Sequence, residues 1–252
     1  MRIVLAGQLT FVVIILGLWE GLLLFGKVDP FLLPPIPSVM SFVVQFLSDW
    51  AFLSDLRITA LEIGTAFVVA LPLAIGTGLL MAERTRLAKS VNPLIYLVMA
   101  IPQSVFLPLF ILSFGIGFLE KVIFGVTHAY FVVAINTFAA VRSVPASYVV
   151  AARSFGATRM QIYFHIYLPA MLPLVLTGFR LGMIFCIIGV LLTEMYASRF
   201  GIGHLIFGWG EAYQLPQLLA GVIIISVITI IVNEGMRLIE ISAARRYGAL
   251  RR

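Results

Sequence analysis

Long runs of apolar residues, almost free of charge, constrain this chain before anything else. Crossing roughly 30 Å of hydrocarbon takes about 20 helical residues at 1.5 Å each, and a helix satisfies its own backbone N–H and C=O groups without water. Six segments reach that length: residues 3–25, 60–81, 91–114, 122–141, 172–192 and 216–236. They predict an all-α, polytopic membrane protein with a single transmembrane domain over residues 1–252. A hydrophobic share of 62% agrees, being far above that of a water-soluble domain. The N-terminal run is too long for a signal-peptide core and lacks a small-residue cleavage pattern, so it is retained as a span.

The basic residues orient these spans. One set of flanks holds Arg2, Arg84, Arg86, Lys89, Arg142, Arg153, Arg159, Arg237, Arg245, Arg246, Arg251 and Arg252; the other holds only Lys27, Arg57, Lys121 and Arg199. The positive-inside rule then puts both termini and residues 142–171 in the cytoplasm. The formal charge of +6 follows from that topology, and nucleic-acid binding is not needed to explain it. Cys186 is the sole cysteine and can form no intrachain disulfide.

Residues 142–171 form the longest basic insert between spans. Two short helices are expected there, broken at Gly156, which can take a positive φ and turn the chain. Ala151, Ala152 and Phe155 share one helix face, with small residues that admit a second backbone, while Arg153 and Arg159 stay solvated. Outside the membrane, Leu32-Leu-Pro-Pro-Ile-Pro37 is too proline-rich to be helical throughout. Val39, Phe42, Val43, Phe46, Trp50 and Leu53 then recur at helical spacing, predicting an amphipathic helix that packs along the bundle rim.

Polar residues at depth mark the candidate pathway. The third span is punctuated by Pro93, Pro102 and Pro108, and broken backbone at membrane depth must face protein or a wet cavity. Counting 1.5 Å per residue places Gln103 and Ser104 about 15 Å from the cytoplasmic end and His128 roughly 10 Å from the outer end. These three are candidate substrate contacts, with interhelical hydrogen bonding as the competing role. Asn136 and Thr137 lie nearer the cytoplasm, where they are candidates to line an inner vestibule. Phe106, Phe110 and Phe114 are read as packing. Gly178 and Gly182 form a close-contact spacing around Arg180, for which a structural ion pair is expected; Gly17 and Gly21 form another such spacing. Thr193 to His204 mixes hinges with charge, and Glu194, Arg199, Gly201 and Gly203 are candidates for an outer gate.

Several chemistries are excluded. Gly21 to Lys27 imitates a phosphate loop, but Val28 stands where a Ser or Thr would hold Mg²⁺, and the run lies in an apolar helix. No nucleophile elbow or zinc-binding histidine pair occurs, and His128, His165 and His204 are assigned to different levels, so no catalytic residue and no metal site is expected. Glu20, Glu62 and Glu194 fall in outer halves of spans, either as an acidic relay or with separate partners. A secondary carrier driven through Glu62 and Glu194 is the alternative transport reading, and an intramembrane enzyme a third class.

Ala151, Ala152, Gly156, Ile166, Leu168 and Pro169 stand at a spacing that resembles the cytoplasmic loop signature of permease subunits of ATP-binding-cassette importers. Val150 departs from that signature, which usually carries an acid there. Phe114-Gly-Ile-Gly117, Asn136-Thr137, Val141-Arg-Ser-Val-Pro145 and Gly201-Ile-Gly203 follow in the order of the nitrate, sulfonate, taurine and bicarbonate group, over residues 30–246. The resemblance implies a bacterial inner-membrane complex of two permease copies, two cytoplasmic ATPases and an external solute-binding protein. ATP and Mg²⁺ would belong to the ATPases, and this chain would bind no cofactor. Residues Ala151, Ala152, Arg153, Phe155, Gly156, Ala157, Arg159 and Met160 would couple to the ATPase, within a stretch expected to act as one helix from Ala151 to Met160. Implied solutes are sulfonates, taurine, nitrate or vitamin precursors.

Overall fold

The computed structural model describes residues 2–247, all of them helix, turn or irregular chain. The elements are α1 (Arg2–Leu24), α2 (Ile36–Ser48), α3 (Trp50–Glu83), α4 (Thr85–Ala100), a 3₁₀ turn (Gln103–Phe106) and α5 (Leu107–Phe114). They continue with α6 (Phe118–Arg142), α7 (Ala146–Ser154), α8 (Arg159–Ile162), a π-helical turn (Tyr163–Tyr167), α9 (Leu168–Ala197), α10 (Ile202–Glu211) and α11 (Leu215–Tyr247).

Among the described residues, four helices are long and apolar enough to cross a membrane: Trp50–Glu83, Phe118–Arg142, the continuous run Arg159–Ala197, and Leu215–Arg246. The third span predicted over residues 91–114, punctuated by prolines, is broken at one of them and starts earlier, at Thr85. Thr85–Ala100 and Gln103–Phe114 are separate pieces bent by 83°, which make a fifth span if the broken pair is one crossing. Steric conflict between Pro102 and its predecessor explains the break, since Ile101 takes the extended geometry φ −84°, ψ 128° that a following proline favours. Pro108 sits in the first turn of α5, where no N–H is missed. The first predicted span falls on the helix α1, Arg2–Leu24, of which Thr10–Leu24 is an apolar stretch. A Cβ placed on Gly17 or Gly21 would meet nothing within 4 Å, so the close contact expected of them is not made within the described residues.

The core is α6 packed between α3 and α9, and small residues set the separations. A Cβ at Gly182 would lie 2.4 Å from Val133, one at Gly125 would lie 2.7 Å from Val190, and one at Gly78 would lie 2.6 Å from Thr137. Backbones therefore approach closely without a hydrophobic drive from lipid. Near the start of α9, Arg180 pairs with Glu240 of α11 at 2.9 Å, and Thr177 donates to the same carboxylate at 2.7 Å. That is the structural ion pair expected for Arg180.

The amphipathic helix is shorter than its apolar spacing suggested. α2 ends at Ser48, and Asp49 turns the chain and caps α3 by accepting from Ala51 N at 2.9 Å. Trp50 is consequently 82% exposed and is no part of the buried face. Val39, Val43 and Phe46 pack with Ile202, Ala220 and Ile224, while the Phe46 ring stacks on Phe52 and Trp209 at 4.8 Å each. This aromatic layer fastens α2 to the start of α3, to α10 and to the first turns of α11. Phe110 meets Phe124 edge-on at 5.1 Å, the packing role read for the phenylalanine series.

Candidate coupling loop and transport pathway

The insert between α6 and α9 is built by two local capping motifs. At the end of α7, Ala157 N donates to Ala152 O and Gly156 N to Arg153 O, both at 3.0 Å, the paired pattern of a Schellman cap. Gly156 at φ +74° occupies the left-handed position that this pattern requires. One residue later, Thr158 starts α8 with a reciprocal capping box: Gln161 N donates to Thr158 Oγ1 at 3.3 Å and Thr158 N to Gln161 Oε1 at 2.8 Å. The two short helices expected on either side of Gly156 are thus present, as α7 and α8 meeting at a capped bend, and the stretch Ala151 to Met160 spans both of them.

The outside of this bend is apolar. Phe155 is 92% exposed, Met160 67% and Val150 63%, with Ala151, Arg153 and Arg159 exposed around them and Ala152 and Ala157 half-buried. A hollow of about 400 Å³ lies in the elbow, lined by Ala152, Phe155, Gly156, Ala157, Gln161 and His165 among others. Large exposed side chains on a polar, solvated loop are the mark of a docking surface. From α8 the chain enters α9 through the π-helical turn, a local register change that recurs at functional positions in helices.

A cavity of about 230 Å³ lies where the α4–α5 break faces α6 and α9. Gln103, Ser104 and His128 all line it, together with Met99, Phe131, Phe185 and Leu192. His128 Nδ1 lies 3.0 Å from Phe124 O, and a carbonyl can only accept, so Nδ1 carries a proton and donates it there. Gln103 Oε1 is buried without a hydrogen-bond partner. Gly189 makes room for the imidazole, since a Cβ there would lie 2.8 Å from His128 Cγ. Sequence reading missed Gly189, although an isolated glycine inside an apolar span was a usable signal.

Asn136 and Thr137 are placed elsewhere. Asn136 donates to Val132 O at 2.8 Å and its Cβ lies 2.5 Å from a Cβ built on Gly178; Thr137 is buried against Gly78. Both occupy helix–helix contacts and neither lines this cavity.

At the other end of α9, Glu194 is fully buried and holds the following loop from beneath. It accepts from Thr59 Oγ1 at 2.7 Å and from Gly203 N at 2.8 Å, while Thr59 Oγ1 accepts from Ile202 N at 2.9 Å and Asp55 Oδ1 from Gly201 N at 2.6 Å. Gly201, at φ +104°, leaves no space for a Cβ above that carboxylate. Arg199 is exposed on the same loop. Beside it, Lys121 forms a buried ion pair with Glu62 and donates to Ser198 Oγ at 3.0 Å. Thr59, Asp55 and Lys121 were absent from the sequence candidates. No group of three or more His, Cys, Asp or Glu suited to a metal ion occurs among the described residues.

The known proteins most informative for this geometry are transporters. A family profile described as binding-protein-dependent transport system inner membrane component matches residues 70–242. The taurine transport system permease protein TauC of Escherichia coli (strain K12) is 27% identical over 232 residues, covering 90% of this chain and 84% of the relative. The putative aliphatic sulfonates transport permease protein SsuC of Bacillus subtilis (strain 168) is 29% identical over 228 residues, covering 90% and 82%. The formylaminopyrimidine transport permease protein ThiX of Halalkalibacterium halodurans is 28% identical over 232 residues, covering 91% of each chain. In fold, the chain is similar to the methionine ATP-binding-cassette transporter MetNI in an inward-facing conformation, with a TM-score of 0.68 at 17% identity, over 77% of this chain and 96% of that one. The ion-gradient carrier is not retained, because Glu62 is engaged by Lys121 and Glu194 by the loop backbone, and the family is driven by ATP. The chain belongs to the family of binding-protein-dependent transport system inner membrane components and is the non-catalytic permease subunit of an ATP-binding-cassette importer.

Proposed function

We propose that α7, the Gly156 bend and α8 form the surface that engages a cytoplasmic ATPase, and that the cavity at Gln103, Ser104 and His128 is a station on the solute pathway. The observation that carries the first assignment is the exposed Val150, Phe155 and Met160 set on a doubly capped, rigid bend. Ala151, Ala152, Arg153, Ala157 and Arg159 complete that surface, and the apolar Val150 replaces a polar contact by a greasy one. The complex contains a second permease copy, two ATPases carrying ATP and Mg²⁺, and an external solute-binding protein. Both termini and the bend face the cytoplasm, and six crossings result when α1 and the broken α4–α5 pair each count as one. Glu194, Gly201 and Gly203 set the outer loop as a clamped unit whose release, with Arg199 at its lip, opens the outer mouth.

The solute is a small organic molecule of the kind named for the relatives: a sulfonate such as taurine, or a pyrimidine vitamin precursor. Cysteine substitutions at Phe155 and Met160, treated with a thiol crosslinker in the assembled complex, are expected to trap the ATPase subunit. Crosslinks from neither position, in a complex that still hydrolyses ATP in response to solute, would overturn the docking assignment. Gln103→Leu is expected to change uptake while leaving assembly unaltered; unchanged affinity and rate would remove Gln103 from the pathway.

A further inference from the structure

Three carboxyl groups meet in the buried interior around a single ammonium. Glu62 of α3, Glu120 of α6 and Glu194 of α9 are each at most 1% exposed, and Lys121 beside them is 3% exposed. With all four ionised, three negative charges would face one positive charge where burying unpaired charge is costly. Lys121 pairs with Glu62 Oε1 and donates to Ser198 Oγ at 3.0 Å, and bonds neither of the other two acids. Glu20, Asp55, Arg57, Arg199 and His204 are the other charged or titratable side chains on the elements around this end of the bundle. Among the described residues none of them makes a hydrogen bond or ion pair with the three glutamates; Asp55 accepts from Gly201 N, and Arg57 and Arg199 are exposed.

The carboxyl oxygens are also short of donors. Both oxygens of Glu120 and Oε2 of Glu62 are buried without a hydrogen-bond partner. Glu194 accepts from Thr59 Oγ1 and Gly203 N, and its carboxyl lies within hydrogen-bonding reach of Glu62. Two ionised carboxylates can only accept, so that approach calls for a proton between them. Glu120 stands in the first turn of α6, where a helix favours negative charge, yet it takes none of the N–H groups there. A cavity of about 350 Å³, lined by Glu62, Lys121, Ser198 and Phe200 among others, gives water a route to the cluster.

We propose that this cluster is a proton-binding site that latches the segment 198–203. One proton is shared between Glu62 and Glu194 and a second sits on Glu120, so that with Lys121 the whole is neutral. Losing the shared proton leaves two carboxylates in contact. Lys121 fixes Glu62, so Glu194 is the group that yields, and it takes with it the bonds from Gly203 N and Thr59 and, through Thr59, the bond from Ile202 N. Alkaline conditions therefore open the segment. An alkali ion would supply the same charge, but no group of three or more His, Cys, Asp or Glu converges to ligate one among the described residues.

The test uses the intact permease–ATPase complex in nanodiscs, accessible from both sides. Ile202 is buried and Phe200 is 61% exposed on the same segment, so Ile202→Cys reports opening and Phe200→Cys serves as its reference. The ratio of their labelling rates with a water-soluble methanethiosulfonate cancels the ionisation of the thiol itself. On the alkaline side this ratio should rise about tenfold per pH unit, the slope of one proton released on opening. In Glu62→Gln combined with Lys121→Met, the amide donates permanently where the shared proton stood, and the ratio should stay flat. For the second proton, the infrared difference between unaltered complex and Glu120→Gln at neutral pH should show the carbonyl stretch of a protonated carboxyl group, displaced in heavy water. A flat ratio in the otherwise unaltered chain, a slope that persists in the double variant, or no such carbonyl band overturns the proposal. A slope that appears only when sodium or potassium is withdrawn assigns the charge to an alkali ion and also overturns it. If either glutamine variant fails to reach the bilayer, the slope in the otherwise unaltered chain decides alone.

Discussion

Replacing Gly156 tests whether the bend itself carries the coupling. No atom lies within 4 Å of a Cβ built on Gly156, so a substitution there is opposed by backbone geometry and not by a clash. At φ +74° an L-residue costs about 1 kcal/mol, and a β-branched one about 2 kcal/mol or more. The two hydrogen bonds of the Schellman cap supply about 1 kcal/mol each at most, since both lie in water-exposed chain. Ala therefore weakens the cap without abolishing it, whereas Val cancels what the cap supplies. Asn, which tolerates the left-handed region, should come close to Gly. The expected order for solute-stimulated ATP hydrolysis by the reconstituted complex is Gly and Asn above Ala, with Val lowest by roughly tenfold or more, since each 1.4 kcal/mol is a factor of ten. Membrane insertion, followed by the amount of folded chain in the bilayer, should be equal for all four. Wild-type ATP hydrolysis by Gly156→Val refutes the reasoning, and so does equal loss in Asn and Val, which would make the absence of a side chain the requirement.

Other sites give independent outcomes. Gly189→Ala would put a methyl 2.8 Å from the His128 ring, so overpacking of about 1–3 kcal/mol is expected, seen as a lower unfolding temperature together with slower uptake. Lys121→Met strands Glu62 in the buried interior and should destabilise the chain by about 3–5 kcal/mol, whereas Lys121→Met combined with Glu62→Gln should recover most of that in the same unfolding measurement. Glu194→Ala removes the acceptor for both Thr59 and Gly203 N, and is expected to expose the 198–203 loop to proteolysis from outside while leaving the α7–α8 bend protected as before.

Sequence made the helices legible because hydrocarbon imposes length and apolarity directly. The bend was also legible, since Gly156 and the Thr158–Gln161 pair act through neighbours a few residues away. Gln103, Ser104 and His128 line one cavity, although a straight count from Pro93 does not account for it, because the chain turns by 83° just before Gln103 and the break itself brings Gln103 and Ser104 to α6. Which side of a helix faces which neighbour is another matter. Asn136 and Thr137 stand at a plausible depth, yet Gly178 and Gly78 draw them into helix contacts. The prolines show the same gap, as Pro72, Pro93 and Pro173 lie inside unbroken helices while Pro102 separates two pieces by 83°. A proline removes one donor wherever it stands; whether the chain then breaks depends on what lies alongside. Thr59 and Glu194 are 135 residues apart, and no local pattern announces their bond.

These contacts also decide which parts of the bundle can move against one another. Gly182 against Val133, Gly178 against Asn136 and Gly189 against His128 lock α9 to α6 at three successive levels, each too close for sliding without a clash. Gly78 against Thr137 and Gly125 against Ala66 lock α6 to α3 in the same way. A force applied at the α7–α8 bend enters α9 through the π-helical turn, and α9 is about 45 Å long at 1.5 Å per residue. Because packed interfaces switch between discrete arrangements and do not deform continuously, the three locked helices respond as one body. The part that can yield is the bent α4–α5 pair, whose break at Ile101–Pro102 has already given up its helical hydrogen bonds. That break forms the wall of the cavity lined by Gln103, Ser104 and His128, so under the coupling proposed for the α7–α8 bend a displacement there is expected to reshape this cavity first.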